Sequence, residues 1–203
     1  MYTSSQASIL PRTWANAQVL SYLMEKIVRE LIAGKVGVLP TDTLYGLVGS
    51  ALSKKAVERI YKLKKRDSRK PLIILITSLK DLNLFGTRID TAHKNILNQV
   101  WPGKVSVILP LSSQKLHYLH RGGKTLAFRI PAKNSLIELL KKTGPLVAPS
   151  ANPEGLSPAT TVREAKKYFG DEIDFYLSAG RRSSGKPSAL IAIENGKIKI
   201  YRR

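Results

Sequence analysis

Hydroxyl and charged side chains follow the first predicted strand of this chain, and strand ends are where α/β proteins gather their ligand-binding groups. In residues 38–47, VLPTDTLYGL, an apolar run ends at Pro40, and Thr41 and Thr43 then flank Asp42. A Thr-Asp-Thr sequence beside proline is also ordinary turn chemistry. The segment by itself therefore indicates either a strand-end site or a turn.

A basic pair, Lys64 and Arg66, lies two residues apart at the end of a predicted helix and just before a predicted strand. Regular helix or strand geometry would send these two side chains in different directions, so only an irregular loop would let both reach one phosphate. The alternative is a solvated basic helix end, which the helix dipole favours.

Ser150 and Asn152 follow another short apolar segment, with Pro149 between the segment and the loop. No G-x-S-x-G surrounds the serine and no histidine motif supplies a base, which argues against a nucleophile. Hydrogen bonding to a phosphate or a sugar is the functional interpretation. A turn stabilised by a serine or asparagine side chain is the local alternative.

Arg129 lies at the end of a predicted strand, in the apolar sequence LAFRIP. A buried arginine needs a carboxylate or phosphate partner. Because the chain has only 14 acidic residues, the sequence favours a ligand anion as that partner. Thr125, four residues earlier, could add a hydroxyl to the same site.

A glycine-rich basic loop over residues 179–187 precedes Ser188. Its glycines permit close approach of the backbone to a ligand, and its cations suit phosphate. A mobile surface loop would have the same composition, so both interpretations stay open. The residues concerned are Gly180, Arg181, Arg182, Gly185 and Lys186.

The elements that must position these residues follow from hydrophobic periodicity, caps and turns. We predict helices over 17–33, from a Ser53 cap, from an Asp90 cap to Trp101, from an Asn134 cap to Gly144, and from the Thr161–Glu164 capping box to Gly170. We predict strands over 36–40, 72–76, 105–109, 126–130, 146–148 and 175–177, then a hairpin of 189–194 and 197–201 around Asn195-Gly196. This order predicts an N-terminal arm (1–12) and one α/β domain (13–203) with a twisted mixed sheet and flanking helices.

The net charge of +20, from 34 basic and 14 acidic residues, indicates a polyanionic partner such as nucleic acid or nucleotide phosphate, or else a solvated lysine-rich surface. There are no cysteines, which excludes disulfides, thiolate-metal sites and cysteine nucleophiles. The three histidines lack ligand spacing, so no metal site built by the protein is expected. With neither an apolar membrane span nor a signal-peptide pattern, the sequence predicts a cytoplasmic protein. Neither of the standard phosphate-binding motifs, G-x-x-x-x-G-K-[ST] and G-x-G-x-x-G, is present.

Taken together, these segments resemble the YrdC family of threonylcarbamoyl-AMP synthases, over nearly the whole chain. The likeness rests on six motifs in order: PTDTLYGL (40–47), K-x-R at Lys64 and Arg66 followed by Pro71-Leu72, WPG (101–103), RIP (129–131), S-x-N at Ser150 and Asn152, and Ser157-Pro158.

The resemblance implies an enzyme that joins L-threonine, bicarbonate and ATP into L-threonylcarbamoyl-AMP and releases pyrophosphate. ATP would be a substrate and would bring Mg²⁺. A tRNA threonylcarbamoyl transferase complex would then use the product to modify tRNA. The implied fold is a twisted mixed α/β sheet with a basic concave face.

The resemblance also implies roles for individual residues. The catalytic pair would be Lys64 and Arg66. Threonine would be held by Thr43, Arg129, the backbone at Ala148, and Ser188. The ATP site would consist of Arg66, Lys70, Thr125, Ser150, Asn152, Ser157 and Arg202.

The chain departs from the family pattern at a few positions. Lys65 and Asp67 stand where the family often has glycine and proline, and Leu75 stands where one branch has a histidine. Pro153-Glu154-Gly155 replaces a more usual x-Ser-Gly. The absence of a C-terminal extension points to the short, single-domain branch.

Two other functions stay open at this point. One is a non-catalytic module that binds double-stranded RNA or tRNA, which the charge favours. The other is a carbamoyl transferase of the hydrogenase-maturation kind. Those domains are embedded in long chains with zinc fingers, which a cysteine-free chain of 203 residues does not match.

Overall fold

The computed structural model describes residues 12–67, 69–112, 116–181, 186–194 and 196–202. The predicted N-terminal arm therefore lies outside the described residues except for Arg12, as do Arg182 and Gly185 of the basic loop and Asn195 of the predicted hairpin turn. Within the described part, no helix is both long and apolar enough to cross a membrane.

Helices and strands alternate along the first part of the chain, as the sequence predicts, and a hairpin follows at the end. The helices are α1 (Arg12–Ile32), α2 (Lys54–Lys64), α3 (Thr91–Val100), α4 (His117–His120), α5 (Asn134–Thr143) and α6 (Val162–Phe169), with a 3-10 helix at Leu79–Phe85. The strands are β1 (Gly37–Pro40), β2 (Tyr45–Ser50), β3 (Ile73–Leu75), β4 (Val105–Pro110), β5 (Thr125–Arg129), β6 (Leu146–Val147), β7 (Phe175–Tyr176), β8 (Ala189–Glu194) and β9 (Lys197–Arg202).

Among the described residues these strands form one sheet in the order β7-β1-β2-β6-β3-β5-β4-β8-β9. The pairs β1–β7, β3–β5 and β4–β8 are parallel, and the other neighbouring pairs are antiparallel. The predicted mixed α/β sheet is thus confirmed, while its basic concave face stays a prediction.

The central strands of the sheet are covered on both faces, and their alternate residues point to opposite sides. On one face, α1 and α5 pack against Leu39, Val48 and Leu75. On the other face, α2, α3 and α6 pack against residues that include Leu47 and Ile74. This double cover explains why β3 reads as an uninterrupted apolar run.

Strand β2 was not predicted, because its sequence YGLVGS contains glycines that are uncommon in strands. The structure shows what they allow. A β-carbon on Gly49 would lie 3.1 Å from Ile60 Cδ1 and 3.2 Å from Ala56 Cβ, so glycine lets α2 pack closely against the strand.

Helix starts were predicted with mixed success. Ser53 and Asp90 cap α2 and α3 by accepting hydrogen bonds from Ala56 N and His93 N, as predicted. The Asn134 cap is wrong, because Asn134 is already helical and Lys133 precedes it without a side-chain cap bond.

The capping box of α6 is half formed and displaced by one residue. The Thr161 side chain accepts from Glu164 N, but the Glu164 carboxylate accepts from Thr160 N and not from Thr161 N. Neither α4 nor the 3-10 helix was predicted, since both are too short to show a periodic pattern.

Candidate functional site

One cleft collects most of the residues that the sequence singled out. Its lining comprises Thr41, Thr43, Leu44, Tyr45, Gly46, Lys64, Arg66, Pro71, Leu72, Ile73, Arg129, Ala148, Pro149, Ser150, Pro187, Ser188 and Arg202. All of the predicted threonine-binding residues are in this lining. Of the other predicted site residues, Lys70, Thr125, Asn152 and Ser157 are outside it.

The loop between β1 and β2 forms one wall of the cleft. Thr41 is buried, and its hydroxyl donates to Leu44 O at 2.7 Å and accepts from Thr43 N at 3.2 Å. These bonds close the turn and leave Thr43 on the cleft wall. Thr41 therefore shapes the loop. Tyr45 and Gly46 also line the cleft.

Arg129 has a protein partner that the sequence did not identify. Its Nη1 donates to Asp42 Oδ1 at 2.6 Å, and the two side chains are only 4% and 5% exposed. The buried arginine therefore has a carboxylate partner within the protein, and binding of a ligand anion by Arg129 stays a prediction. Asp42 is itself fixed, because its other oxygen accepts from Ala132 N at 3.3 Å.

The guanidinium of Arg129 still has a hydrogen-bond donor that no described residue uses. Its Nε is buried and has no hydrogen-bond partner among the described residues. Leaving such a donor unpaired is costly, which makes it a candidate contact for a ligand oxygen in the cleft.

The turn after α2 brings Lys64 and Arg66 to the same cleft, as only an irregular loop could. Lys65 is in the left-handed conformation, with φ 49° and ψ 37°, and it ends the helix. Arg66 then donates from Nε to Lys70 O at 3.0 Å and from Nη2 to Pro71 O at 3.3 Å. Its guanidinium is thereby anchored to its own loop while lining the cleft.

Lys64 differs from Arg66 because its ammonium is already engaged. It is buried, and Nζ donates to Ser150 O at 2.7 Å and to Asn152 O at 2.6 Å. Burial, with a further contribution from the charge of Arg66, lowers the pKa of Lys64 to about 8. The lysine thus ties the end of α2 to the loop that carries Ser150.

Asn152 stabilises the same loop from the inside. Its Nδ2 donates to Pro153 O at 2.9 Å and to Leu156 O at 2.6 Å, and the residue is buried. For Asn152 the turn interpretation therefore describes the structure, whereas Ser150 lies on the cleft wall.

The far wall of the cleft is formed by Ser188 and Arg202. The Ser188 hydroxyl lies 2.9 Å from the hydroxyl of Ser106, and its carbonyl accepts from Arg202 Nε and Nη2 at 3.1 and 2.9 Å. Burial, and then the charge of Arg66, lowers the pKa of Arg202. Both arginines line the cleft.

Thr125 lines an adjoining, more apolar cleft that shares Arg66 and Arg202 with the first one. Lys70 and Ser157 are exposed. Lys70 Nζ forms an ion pair with Glu154 Oε1 at 2.7 Å, and Ser157 O accepts from Tyr168 Oη at 2.9 Å. These two residues border the site without lining it.

Two contacts at the site have no clear sequence signal. Asp42 partners an arginine 87 positions away, and nothing in its turn sequence indicates that pairing. The Tyr45 hydroxyl donates to Gly180 O at 2.7 Å and accepts from Ala179 N at 3.0 Å. Such long-range pairs follow from the strand order, which local sequence patterns do not predict.

Metal ligands do not cluster in the part of the chain that the structure describes. There, no group of three or more His, Asp or Glu side chains lies close enough to hold an ion.

Comparisons with known proteins agree with this architecture. The Sua5/YciO/YrdC family model, described as telomere recombination, matches residues 29–203. A putative threonylcarbamoyl-AMP synthase of Methanocaldococcus jannaschii is 31% identical, over 90% of this chain and 86% of its own length. A threonylcarbamoyl-AMP synthase of Marinobacter nauticus is also 31% identical, over 87% of this chain and 95% of its own length.

One similar structure has been solved with an amino acid bound. Pyrococcus abyssi Sua5 complexed with L-threonine superposes with a TM-score of 0.82 at 28% identity, covering 89% of this chain and 54% of that chain. The present chain therefore spans about half the length of that protein.

Proposed function

The chain belongs to the Sua5/YciO/YrdC family, and we propose that its cleft makes L-threonylcarbamoyl-AMP from L-threonine, bicarbonate and ATP, with release of pyrophosphate. One observation carries the proposal. Thr43, Arg129, Ala148 and Ser188 share a cleft with Arg66, Ser150 and Arg202. The residues expected to bind threonine and those expected to bind phosphate thus border the same space.

The reaction needs positioning and positive charge more than a nucleophile supplied by the protein. The threonine amine attacks carbon dioxide and loses a proton, or attacks bicarbonate with loss of water, and either route gives a carbamate. A carbamate oxygen then attacks the α-phosphorus, and the bond to the β-phosphate oxygen breaks as pyrophosphate leaves. Negative charge grows on the phosphates during this step, so fixed guanidinium groups stabilise it.

On the threonine side, Arg129 would bind the carboxylate of the amino acid. Asp42 holds the guanidinium in place through Nη1 and leaves Nε for the ligand. Thr43, from the facing loop, and the Ser188 hydroxyl would complete the pocket around the amino acid.

On the phosphate side, Arg66 is the cation best placed to act on ATP. Its guanidinium is held by two backbone carbonyls of its own loop and lines the cleft beside Ser150 and Arg202. We assign Lys64 to the same catalytic pair, acting by fixing the Ser150 loop, since its ammonium already binds two carbonyls there.

The nucleoside would extend toward Thr125, where the adjoining cleft has an apolar wall that includes Ile73 and Leu190. Lys70, Asn152 and Ser157 would support the ATP site from its border. ATP would enter as its magnesium complex, and partner proteins would transfer the threonylcarbamoyl group to tRNA. The net charge of +20 suits direct contact with that RNA.

Mass spectrometry of the products tests the proposal most directly. The protein is incubated with ATP, bicarbonate and L-threonine, and then with each component omitted. We expect a threonylcarbamoyl-AMP mass and pyrophosphate only when all three are present. Equal pyrophosphate release with L-serine, or without an amino acid, would remove the threonine assignment.

The same preparation distinguishes the RNA-binding alternative. Tight, strongly salt-dependent RNA binding in a protein that makes no adenylate would favour a non-catalytic module.

A further inference from the structure

Glu154 connects the two loops that border the phosphate side of the cleft. Its backbone N–H donates to Lys64 O at 2.6 Å. One carboxylate oxygen accepts from Asp67 N at 2.8 Å, and the other lies 2.7 Å from Lys70 Nζ. A single residue of the 150–157 loop therefore contacts the end of α2 at Lys64 and the following loop at Asp67 and Lys70, which lie on either side of Arg66 in the sequence.

The position of the Arg66 guanidinium depends on the same loop that Glu154 contacts. Its guanidinium is anchored to the carbonyls of Lys70 and Pro71, so any shift of residues 67–71 moves the anchor of the guanidinium. The loop also begins with Lys65 in a left-handed conformation, which is unfavourable for residues other than glycine. Such a turn needs support from its surroundings.

The contact with Asp67 depends on the residue type at that position. The Glu154 carboxylate accepts from a backbone N–H, and proline has none. Asp67 stands where the resembling family often has proline, and Glu154 lies in the segment that departs from the family's usual sequence. Two departures from the family pattern therefore touch each other, which indicates that they act together.

We propose that Glu154 is a positioning residue that fixes the loop of residues 64–71 and thereby holds Arg66 in place for the phosphates of ATP. The inference rests on the proposed function, because it takes the anion in the cleft to be ATP. It names a residue that acts through Arg66 and does not touch the substrate.

The ion pair with Lys70 is the weaker part of this arrangement. Both side chains are substantially exposed, and exposed ion pairs contribute little to stability. Hydrogen bonding from Lys70, and then from Asp67 N, lowers the pKa of Glu154, which keeps the carboxylate charged at neutral pH. If Lys70 turns toward a phosphate, Glu154 still holds the loop through Asp67 N.

The test measures binding of a non-hydrolysable ATP analogue and of L-threonine separately, by calorimetry on the full chain. Glu154→Ala removes both carboxylate contacts and should weaken analogue binding about fivefold or more while leaving threonine binding within about twofold. Glu154→Gln keeps an oxygen for Asp67 N–H and should fall between the alanine variant and the wild type.

Two matched controls separate this role from a general effect of charge. Asp67→Asn keeps the backbone N–H that Glu154 uses. Glu138→Gln alters another exposed carboxylate that pairs with a lysine at 2.7 Å, outside the cleft lining. Both should bind the analogue like the wild type, and thermal unfolding should show that every variant is folded.

The outcomes distinguish the two proposals. Unchanged or tighter analogue binding in both Glu154 variants would overturn the positioning role, since tighter binding means that the carboxylate repels the phosphates. A wild type that binds the analogue but makes no threonylcarbamoyl-AMP would overturn the proposed reaction alone. A wild type that does not bind the analogue would overturn both.

Discussion

The guanidinium of Arg129 and the carboxylate of Asp42 form an ion pair inside the protein, with Nη1 and Oδ1 2.6 Å apart and both side chains nearly inaccessible. The pair joins the end of β5 to the loop after β1, so the two halves of the proposed threonine pocket are fixed to each other. Asp42 thus determines where the arginine of the site lies.

We predict that Asp42→Ala destabilises the protein and weakens threonine binding. Removing one partner of a buried ion pair leaves the other charge uncompensated and costs on the order of 3–5 kcal/mol. Urea unfolding should show a drop of that order, and calorimetry should show weaker threonine binding. Glu138→Ala, which breaks an exposed pair, is the control and should change stability by well under about 1 kcal/mol. A similar small change in Asp42→Ala would contradict the structural role.

A second prediction concerns the phosphate side of the cleft. Arg66→Ala removes a guanidinium that lines the cleft, and it should lower the rate of adenylate formation by well over tenfold, or about 2 kcal/mol of activation free energy. Lys62→Ala removes an exposed cation from α2, the helix that precedes the Arg66 loop, and serves as the control. Equal rates for the two variants would mean that Arg66 contributes only general charge.

The sequence predicted the fold well where periodicity and caps are strong. Helix α2 begins after Ser53, and β3 lies within the apolar run of residues 72–76. Sequence-based prediction missed β2, because the glycines of that strand interrupt the usual pattern of strand-forming residues. The reason for those glycines, close packing of α2 against Gly49, exists only once the tertiary structure has formed.

The site was predictable as a set of residue types but not as a set of contacts. Both Lys64 and Arg66 line the cleft, but spacing could not show that the ammonium of Lys64 binds carbonyls of the Ser150 loop while the guanidinium of Arg66 is held by its own loop. The difference arises at the left-handed turn of Lys65, which separates the two side chains. The pairing of Arg129 with Asp42 depends likewise on how β5 and the loop after β1 meet across the sheet.

The left-handed turn at Lys65 gives a third prediction. A positive φ costs a lysine roughly 1–2 kcal/mol, whereas glycine adopts it freely but gains entropy in the unfolded chain. We expect Lys65→Gly to raise the free energy of unfolding by up to about 1 kcal/mol, measured by urea unfolding. Lys65→Val should lower it, since β-branched residues fit this conformation least well. A glycine variant that is less stable than the wild type would contradict a left-handed conformation at Lys65.

A fourth prediction concerns the titration of Lys64. Burial lowers its pKa to about 8 from an ordinary value of 10.5. Between these values the unfolded chain binds more protons than the folded one, so the contribution of Lys64 to the free energy of unfolding rises as pH increases from about 8 to about 10. Below pH 8 the lysine is charged in both states, and its contribution is constant.

Nuclear magnetic resonance of the lysine side chains measures this pKa directly. One signal should titrate near pH 8, well below the rest, and it should be missing from the spectrum of Lys64→Met. If every lysine titrates near its ordinary value, the ammonium of Lys64 is not buried as described.

The last prediction concerns Tyr45, whose ring is buried in the core and whose hydroxyl holds the segment that leads toward the far wall of the cleft. Tyr45→Phe keeps the ring packing and removes only the bonds to Gly180 O and Ala179 N. We expect unfolding stability to fall by roughly 1–3 kcal/mol and threonine binding to weaken. Tyr176→Phe is the matched control, because its hydroxyl also donates to a glycine carbonyl at 2.7 Å but lies outside the cleft lining. Because the control loses a comparable hydrogen bond, only Tyr45→Phe should affect threonine binding. Equal threonine affinity in both variants would show that the bonds of Tyr45 to residues 179–180 do not support the pocket.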